Sequence, residues 1–205
     1  MGRVTFKPGN MLYPLPVVLV TVRDAEGRDN IFTVAWTGTV CTNPPMLYIS
    51  VRPGRYSYKA LKETGCFAVN LTSRDLARET DYCGVRSGRD EDKVKKTGLA
   101  VREAQKIDCL ILEDSPVAIE CRTRQVLDLG SHHMFLADVV NVSVDERYID
   151  EKGSFHLEKA DPIVYSHGAY HELGQALGTF GFSVRKKSPG KKGRMKPGKG
   201  RKKRL

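Results

Sequence analysis

The chain has 205 residues, 40% apolar and 28% charged, which is enough to bury a core in one domain without disulfides or metals. Its five cysteines (Cys41, Cys66, Cys83, Cys109, Cys121) are scattered without C-x-x-C spacing and no apolar run reaches the ~20 residues of a bilayer-crossing helix, which excludes a disulfide framework and a helical membrane span. The net charge of +10 belongs to one end, because residues 185–205 hold 12 of the 34 Lys and Arg and no acid, leaving 22 basic against 24 acidic residues in 1–184.

In chain order, "VVLVTV" (17–22) is a β-branched run closed by the turn-forming "RDAEGRDN", and "IFTVAWTGTV" (31–40) follows as the second strand of a hairpin. After the break "NPP" come "MLYISV" (46–51), "CFAVNL" (66–71), "IDCLILE" (107–113), "VAIECRTRQVL" (117–127) and "MFLADVVNVSV" (134–144). Six or seven strands with short helices between them predict a mainly β, antiparallel sheet closed into a barrel or sandwich. The helical segments are "SYKALKET" (57–64), with Ser57 as N-cap and Gly65 as stop, "SRDLARETDY" (73–82), with Ser73 as cap, "EDKVKKTG" ending at Gly98, and "YHELGQAL" (170–177). From Arg185 onward Pro, Gly and Lys dominate without apolar periodicity, so the expected organisation is a domain over 1–184 and a basic, disordered tail over 185–205. Scattered cysteines and the lack of a signal-type N-terminus predict a cytoplasmic protein with no membrane attachment.

Four stretches carry chemistry. Along "TVAWTGTVC", strand alternation puts Thr33, Ala35, Thr37, Thr39 and Cys41 on one small or hydroxylic face, suited either to a solvated sheet edge or to a flat ligand lying against the backbone. The segment "SVRPGRYSYKALKETG" brings Arg52, Arg55, Ser57 and Lys59 to a helix start, as phosphate sites do, although an ordinary capped helix with solvated cations gives the same pattern. "CGVRSGRDEDK" repeats the theme with Ser87, Arg89 and Lys93. The fourth stretch is "GSHHMF", where adjacent strand residues face opposite ways, so His132 and His133 do not make a metal pair and no metal site is expected. There is no G-x-G-x-x-G after a strand, and "GRMKPGKG" in the tail lacks the Ser or Thr of a P-loop.

Taken together, "PLPVVLVTVRDAEGRDNIFTVAWTGTVCTNPPMLYISVRPGRYSYKALKETGCFAVNL", "DYCGVRSGRDEDK", "GSHHMFLADVVNV" and "PIVYSHGAYHELGQALGTFGFSV" resemble the flavin reductase-like, FMN-binding split-barrel family, most closely its flavoredoxin and ferric-reductase-like branch. The resemblance spans about residues 4–185. It implies an antiparallel Greek-key split β-barrel with short peripheral helices, a homodimer binding FMN near its interface, and hydride transfer from NADH or NADPH to flavin. Electrons then pass to free flavin, a ferric complex or an acceptor protein. By the same resemblance Thr33, Ala35, Trp36, Thr37 and Cys41 line the flavin ring, and Arg52, Ser57, Tyr58, Lys59, Ser87 and Lys93 hold its phosphate. His132 faces flavin and nicotinamide as the catalytic residue. Ser131 stands where reductases that feed monooxygenases often carry Asp, which tilts the comparison toward the electron-transfer branch. Tyr165, His167 and Tyr170 form a cluster that closes the site from the C-terminal side or packs in the core. The rival readings are a flavoprotein carrier without an efficient nicotinamide reaction and, through residues 185–205 alone, a nucleic-acid-binding module.

Overall fold

The computed structural model describes residues 2–185. Their strands are β1 (Leu15–Pro16), β2 (Val18–Arg23), β3 (Asp29–Val34), β4 (Thr37–Cys41), β5 (Met46–Val51), β6 (Cys66–Leu71), β7 (Val101–Glu103), β8 (Leu110–Leu112), β9 (Val117–Asp128), β10 (His133–Val144), β11 (Ile163–Ser166) and β12 (Ala169–Glu172). The helices are α1 (Ser57–Thr64), α2 (Ala77–Val85) and α3 (Lys93–Thr97).

Seven strands pair antiparallel in the order β3-β2-β6-β9-β10-β5-β4. Consecutive strands β3 and β4 therefore occupy opposite edges of one sheet, yet only Ala35 and Trp36 join them. The sheet has to curl until its edges face each other, which makes a Greek-key barrel with one seam closed by chain rather than by a strand ladder. The Ser50 amide donates to the Trp36 carbonyl at 2.8 Å beside that seam. Smaller sheets, β1-β11-β12 and β7-β8, complete the described strands.

The barrel interior is filled by alternate residues of several strands, among them Val18, Val20 and Val22 of β2, Phe67 and Val69 of β6, Ile49 of β5 and Phe135 of β10. The other face of β2 is buried as well, where Leu19 packs with Ile31, Leu76, Cys83 and Leu112. Burial on both faces explains why this strand reads as an unbroken apolar run rather than an alternating one.

Several local expectations change. The single strand over 31–40 is two strands, broken at Ala35–Trp36 by the edge-to-edge crossing. Helix α1 has the expected bounds and Gly65 ends it at φ 64°, but the cap position is Tyr56, and Ser57 is its first helical residue. Ser73 precedes a short 3-10 turn, Arg74–Leu76, and makes no capping bond, while α2 begins only at Ala77. The strand expected over 107–113 shortens to β8. The helix expected over 170–177 is instead β12 followed by irregular backbone. His167 and Gly168 take φ of 48° and 84°, the left-handed pair of a tight hairpin turn, so Tyr170 pairs across to Tyr165.

The described residues divide into two units between Leu173 and Gly174. Residues 174–185 contain a 3-10 turn at Phe182–Val184, so the boundary expected near Val184 falls inside the second unit. The tail expected to be disordered lies, from residue 186, outside the described residues.

Candidate functional site

A cavity of about 530 Å³ opens along the seam of the barrel. The seam itself supplies one wall, from Phe32 to Trp36, and the end of β5 supplies Ser50, Val51 and Arg52. Gly84 of α2 closes one side, and Tyr165 and Tyr170 of the β11–β12 hairpin close another. The remaining polar wall is Asn10, Arg55, Ser131 and His132.

His132 is positioned by the turn between β9 and β10. Gly130 takes φ 92° and donates its amide to Asp128 Oδ1 at 2.9 Å, while Leu129 N donates to the His132 carbonyl at 3.0 Å. The imidazole lies nearly parallel to the Trp36 indole, with planes 9° apart and centroids separated by 6.0 Å. Ser131 Oγ and His132 Nδ1 share a hydrogen bond of 3.0 Å. Burial, followed by the guanidiniums of Arg52 and Arg55, lowers the His132 pKa, so the ring is neutral at pH 7. His133 turns the other way, sharing a hydrogen bond of 2.6 Å with the Tyr58 hydroxyl and packing edge-on against that ring.

A second cavity of about 120 Å³ shares Phe32, Thr33, Arg55 and Gly84 with the first. It adds Arg86, Arg89 and Lys93 as cations and Ser57 and Ser87 as hydroxyls. Lys93 is buried, and its ammonium donates to the carbonyls of Cys83 at 3.0 Å and Arg86 at 3.2 Å, tying the end of α2 to the start of α3. Burial lowers its pKa. Ser57 Oγ accepts from Asn30 Nδ2 at 2.6 Å, which fixes the first turn of α1 against β3. Close backbone approach is part of the design, because a Cβ at Gly88 would collide with Asn30 Oδ1 and one at Gly84 would stand 3.2 Å from Thr33 Cβ. Converging cations, hydroxyls and backbone at this scale have the donor chemistry of a phosphate site.

Of the residues expected in the site, Thr33, Ala35, Trp36, Arg52 and His132 line the larger cavity, and Ser57, Ser87 and Lys93 the smaller. The Thr33 hydroxyl is committed to the Thr80 carbonyl on α2, so this residue offers the cavity a wall and not a donor. Thr37, Cys41, Tyr58 and Lys59 lie outside both. Thr37 is buried with its hydroxyl donating to the Tyr48 carbonyl at 2.6 Å, since the break at Ala35–Trp36 interrupts the alternation that placed it beside Thr33. Cys41 sits past an irregularity in the β4–β5 register. Tyr58 faces His133 and Phe135, and Lys59 is exposed and 3.7 Å from Glu63. Tyr165 and Tyr170 do reach the larger cavity, whereas His167 packs on Tyr13. Arg55, read in the loop-to-helix pattern but not among the residues the resemblance implies, sits at the junction of the two cavities; Gly84, Arg86 and Gly88 were not expected, although "CGVRSG" is the stretch that holds them.

Residues 10–174 match the flavin reductase-like domain. The chain belongs to the flavin reductase-like family. Among solved structures of this fold, flavoredoxin of Desulfovibrio vulgaris (Miyazaki F) superposes with a TM-score of 0.83 at 28% identity, covering 90% of this chain and 100% of the other. Flavoredoxin from Methanosarcina acetivorans gives 0.81 at 25% identity with the same coverage, 90% and 100%. A relative from Streptomyces pristinaespiralis, named NADH:riboflavin 5'-phosphate oxidoreductase, is 24% identical over 142 residues, 69% of this chain and 78% of its own length. For a family member the two joined cavities are compatible in size and charge with FMN, the larger slot taking a ring and the smaller, more cationic pocket a phosphate.

Proposed function

We propose that the protein is an FMN-dependent oxidoreductase that draws a hydride from NADH or NADPH and passes electrons to an acceptor. The observation that carries this reading is the junction at Thr33, Arg55 and Gly84, where a seam cavity bordered by Trp36 and His132 runs into a pocket with three further cations. One molecule with a planar ring and a phosphate spans both. When bound, FMN would supply the redox chemistry, hydride uptake from a dihydronicotinamide and electron transfer to an acceptor.

The chain's own groups bind and orient. Arg55, Arg86, Arg89 and Lys93 offset the phosphate charge, and Ser57 and Ser87 offer hydroxyls to it. Ala35 and Trp36 border the ring, and the neutral imidazole of His132 presents a hydrogen-bonding nitrogen to flavin or nicotinamide. The exposed edge strand β4, with Val40 48% accessible and Trp36 37% accessible next to it, supports a homodimer that covers this edge. The protein works in the cytoplasm, and any nucleic-acid contact is confined to residues 185–205.

A second reading, a carrier reduced by another protein, draws support from the two flavoredoxin structures. A visible spectrum followed by anaerobic addition of NADH or NADPH tests both. Rapid bleaching of a yellow protein supports the reductase, and a yellow protein that stays oxidised supports the carrier. A colourless protein that does not take up FMN overturns both.

A further inference from the structure

The larger cavity carries a cation that the phosphate pocket does not use. Arg52, directly after β5, lines the seam cavity alone, while Arg55 is shared and Arg86, Arg89 and Lys93 belong to the smaller pocket. Arg86 has Glu91 at 4.0 Å, but among the described residues neither Arg52 nor Arg55 forms an ion pair with a carboxylate. The cation therefore stands uncompensated on the wall of a ligand-sized cavity. Its surroundings there are polar and aromatic, since Trp36, His132, Ser131 and Asn10 share the same cavity. A guanidinium beside parallel indole and imidazole rings is suited to a planar molecule bearing phosphate or carboxylate, because its forked N–H groups pair with such oxyanions and the rings accept a flat partner.

We propose that Arg52 is a specificity residue for the second substrate: it recognises the anionic group of the molecule that exchanges electrons with the bound cofactor. This rests on the flavin reading above. It reassigns Arg52 from the cofactor's phosphate, where family resemblance had put it, to the redox partner. The same oxyanion chemistry is offered by the pyrophosphate of a nicotinamide dinucleotide and by the carboxylates of a ferric chelate. Arg52 also helps keep His132 uncharged, so anion binding and the state of the imidazole are coupled.

The test compares the wild-type holoprotein with Arg52→Gln and Arg55→Gln. FMN affinity is measured by cofactor fluorescence, and binding of oxidised NAD by quenching of Trp36, the chain's single tryptophan and a wall of the cavity. Half-reactions are followed with NADH against the uncharged donor 1-benzyl-1,4-dihydronicotinamide, and with ferric EDTA against uncharged benzoquinone. Arg52→Gln should leave FMN affinity within about twofold of wild type, while one anionic partner loses at least about tenfold more than its uncharged counterpart, as removal of one charge-assisted contact predicts. Loss confined to NADH, with weaker Trp36 quenching by NAD, identifies the dinucleotide; loss confined to ferric EDTA identifies the acceptor. Arg55→Gln should weaken FMN itself. If Arg52→Gln weakens FMN about as much as Arg55→Gln does, or slows charged and uncharged partners equally, or changes nothing, the assignment is overturned. A wild-type protein that takes up no FMN refutes the flavin reading, and this inference with it.

Discussion

Gly88→Ala is the most local test of how the phosphate pocket is built. The added Cβ would collide with Asn30 Oδ1 and stand 2.8 Å from Tyr56 Cδ1. Asn30 is the neighbour that does not yield easily, whereas the exposed Tyr56 ring has room to turn. Asn30 is buried and donates to Ser57 Oγ at 2.6 Å, and Tyr56 occupies the cap position of α1. Overpacking of this kind costs ~1–3 kcal/mol and loss of the Asn30–Ser57 bond about 1 more, so the unfolding free energy should fall by roughly 2–4 kcal/mol. Because the displaced groups border the cationic pocket, FMN affinity should fall by about tenfold or more, equivalent to about 1.4 kcal/mol. Gly54→Ala is the matched control, since Gly54 lines the same pocket but its built Cβ meets nothing within 4 Å. Its unfolding free energy should stay within about 0.5 kcal/mol of wild type. Urea unfolding of the cofactor-free protein and fluorescence titration with FMN measure both quantities. In an Asn30→Ala background part of the clash is already relieved, so the double variant should be less destabilised than the sum of the single ones. Wild-type stability and affinity in Gly88→Ala, or an equal loss in Gly54→Ala, would refute the close-approach argument.

His132→Ala should retain FMN while slowing its reduction by NADH or NADPH in stopped-flow traces; unchanged kinetics would remove His132 from the reaction. Burial and the two arginines hold the His132 pKa below 6.5, so the neutral form persists further into acid than for an ordinary histidine. The reduction rate should therefore be level through neutral pH and fall only below that range, and the Arg52→Gln/Arg55→Gln pair should move the acid limb upward. Glu120 is fully buried and accepts from Lys106 N at 2.6 Å, Asn141 Nδ2 at 2.8 Å and Gln105 N at 3.0 Å. Burial raises its pKa, but these donors outweigh it and the net shift is downward. Its contribution is thus complete above the unfolded carboxylate value of about 4.3 and is lost as the pH falls through the folded value. Glu120→Gln should cost ~2–3 kcal/mol at pH 7 and progressively less in acid, as read by urea unfolding at several pH values. Lys93→Met strands the carbonyls of Cys83 and Arg86 and should lower both stability, by ~1–3 kcal/mol, and FMN affinity.

Strands β5 and β6 and helix α1 were legible in the sequence because each is a run of consistent propensity bounded by a breaker, such as "NPP" before β5 and Gly65 between α1 and β6. The break at Ala35–Trp36 was not legible. Nothing local marks it in "IFTVAWTGTV"; it arises because the two halves pair with different strands, β2 and β5. That break takes Thr37 out of the alternation with Thr33, and the irregularity in the β4–β5 register lies between Thr39 and Cys41, so neither residue lines the two cavities. The helix expected over 170–177 gives way for a different reason, since the left-handed turn at His167 and Gly168 pairs Tyr170 back onto Tyr165 and draws the segment's start into a strand. In the site, Ser57, Ser87 and Lys93 were legible from a loop-to-helix pattern of hydroxyls and cations. The separation of Arg52 from the phosphate pocket was not, because residues three apart in a loop diverge only once the loop is folded.

The two-residue link across the seam also acts as a covalent ruler. From Val34 to Thr37 the chain takes three Cα steps, so the edges it joins stand no more than ~11 Å apart there, whatever the state of the surrounding contacts. Heating, denaturant or loss of a partner can loosen the rest of the wall, but at this end chain length caps how far the two edges can part. Inserting or deleting a single residue between Val34 and Thr37 consequently changes that cap directly, at a stretch that also lines the seam cavity.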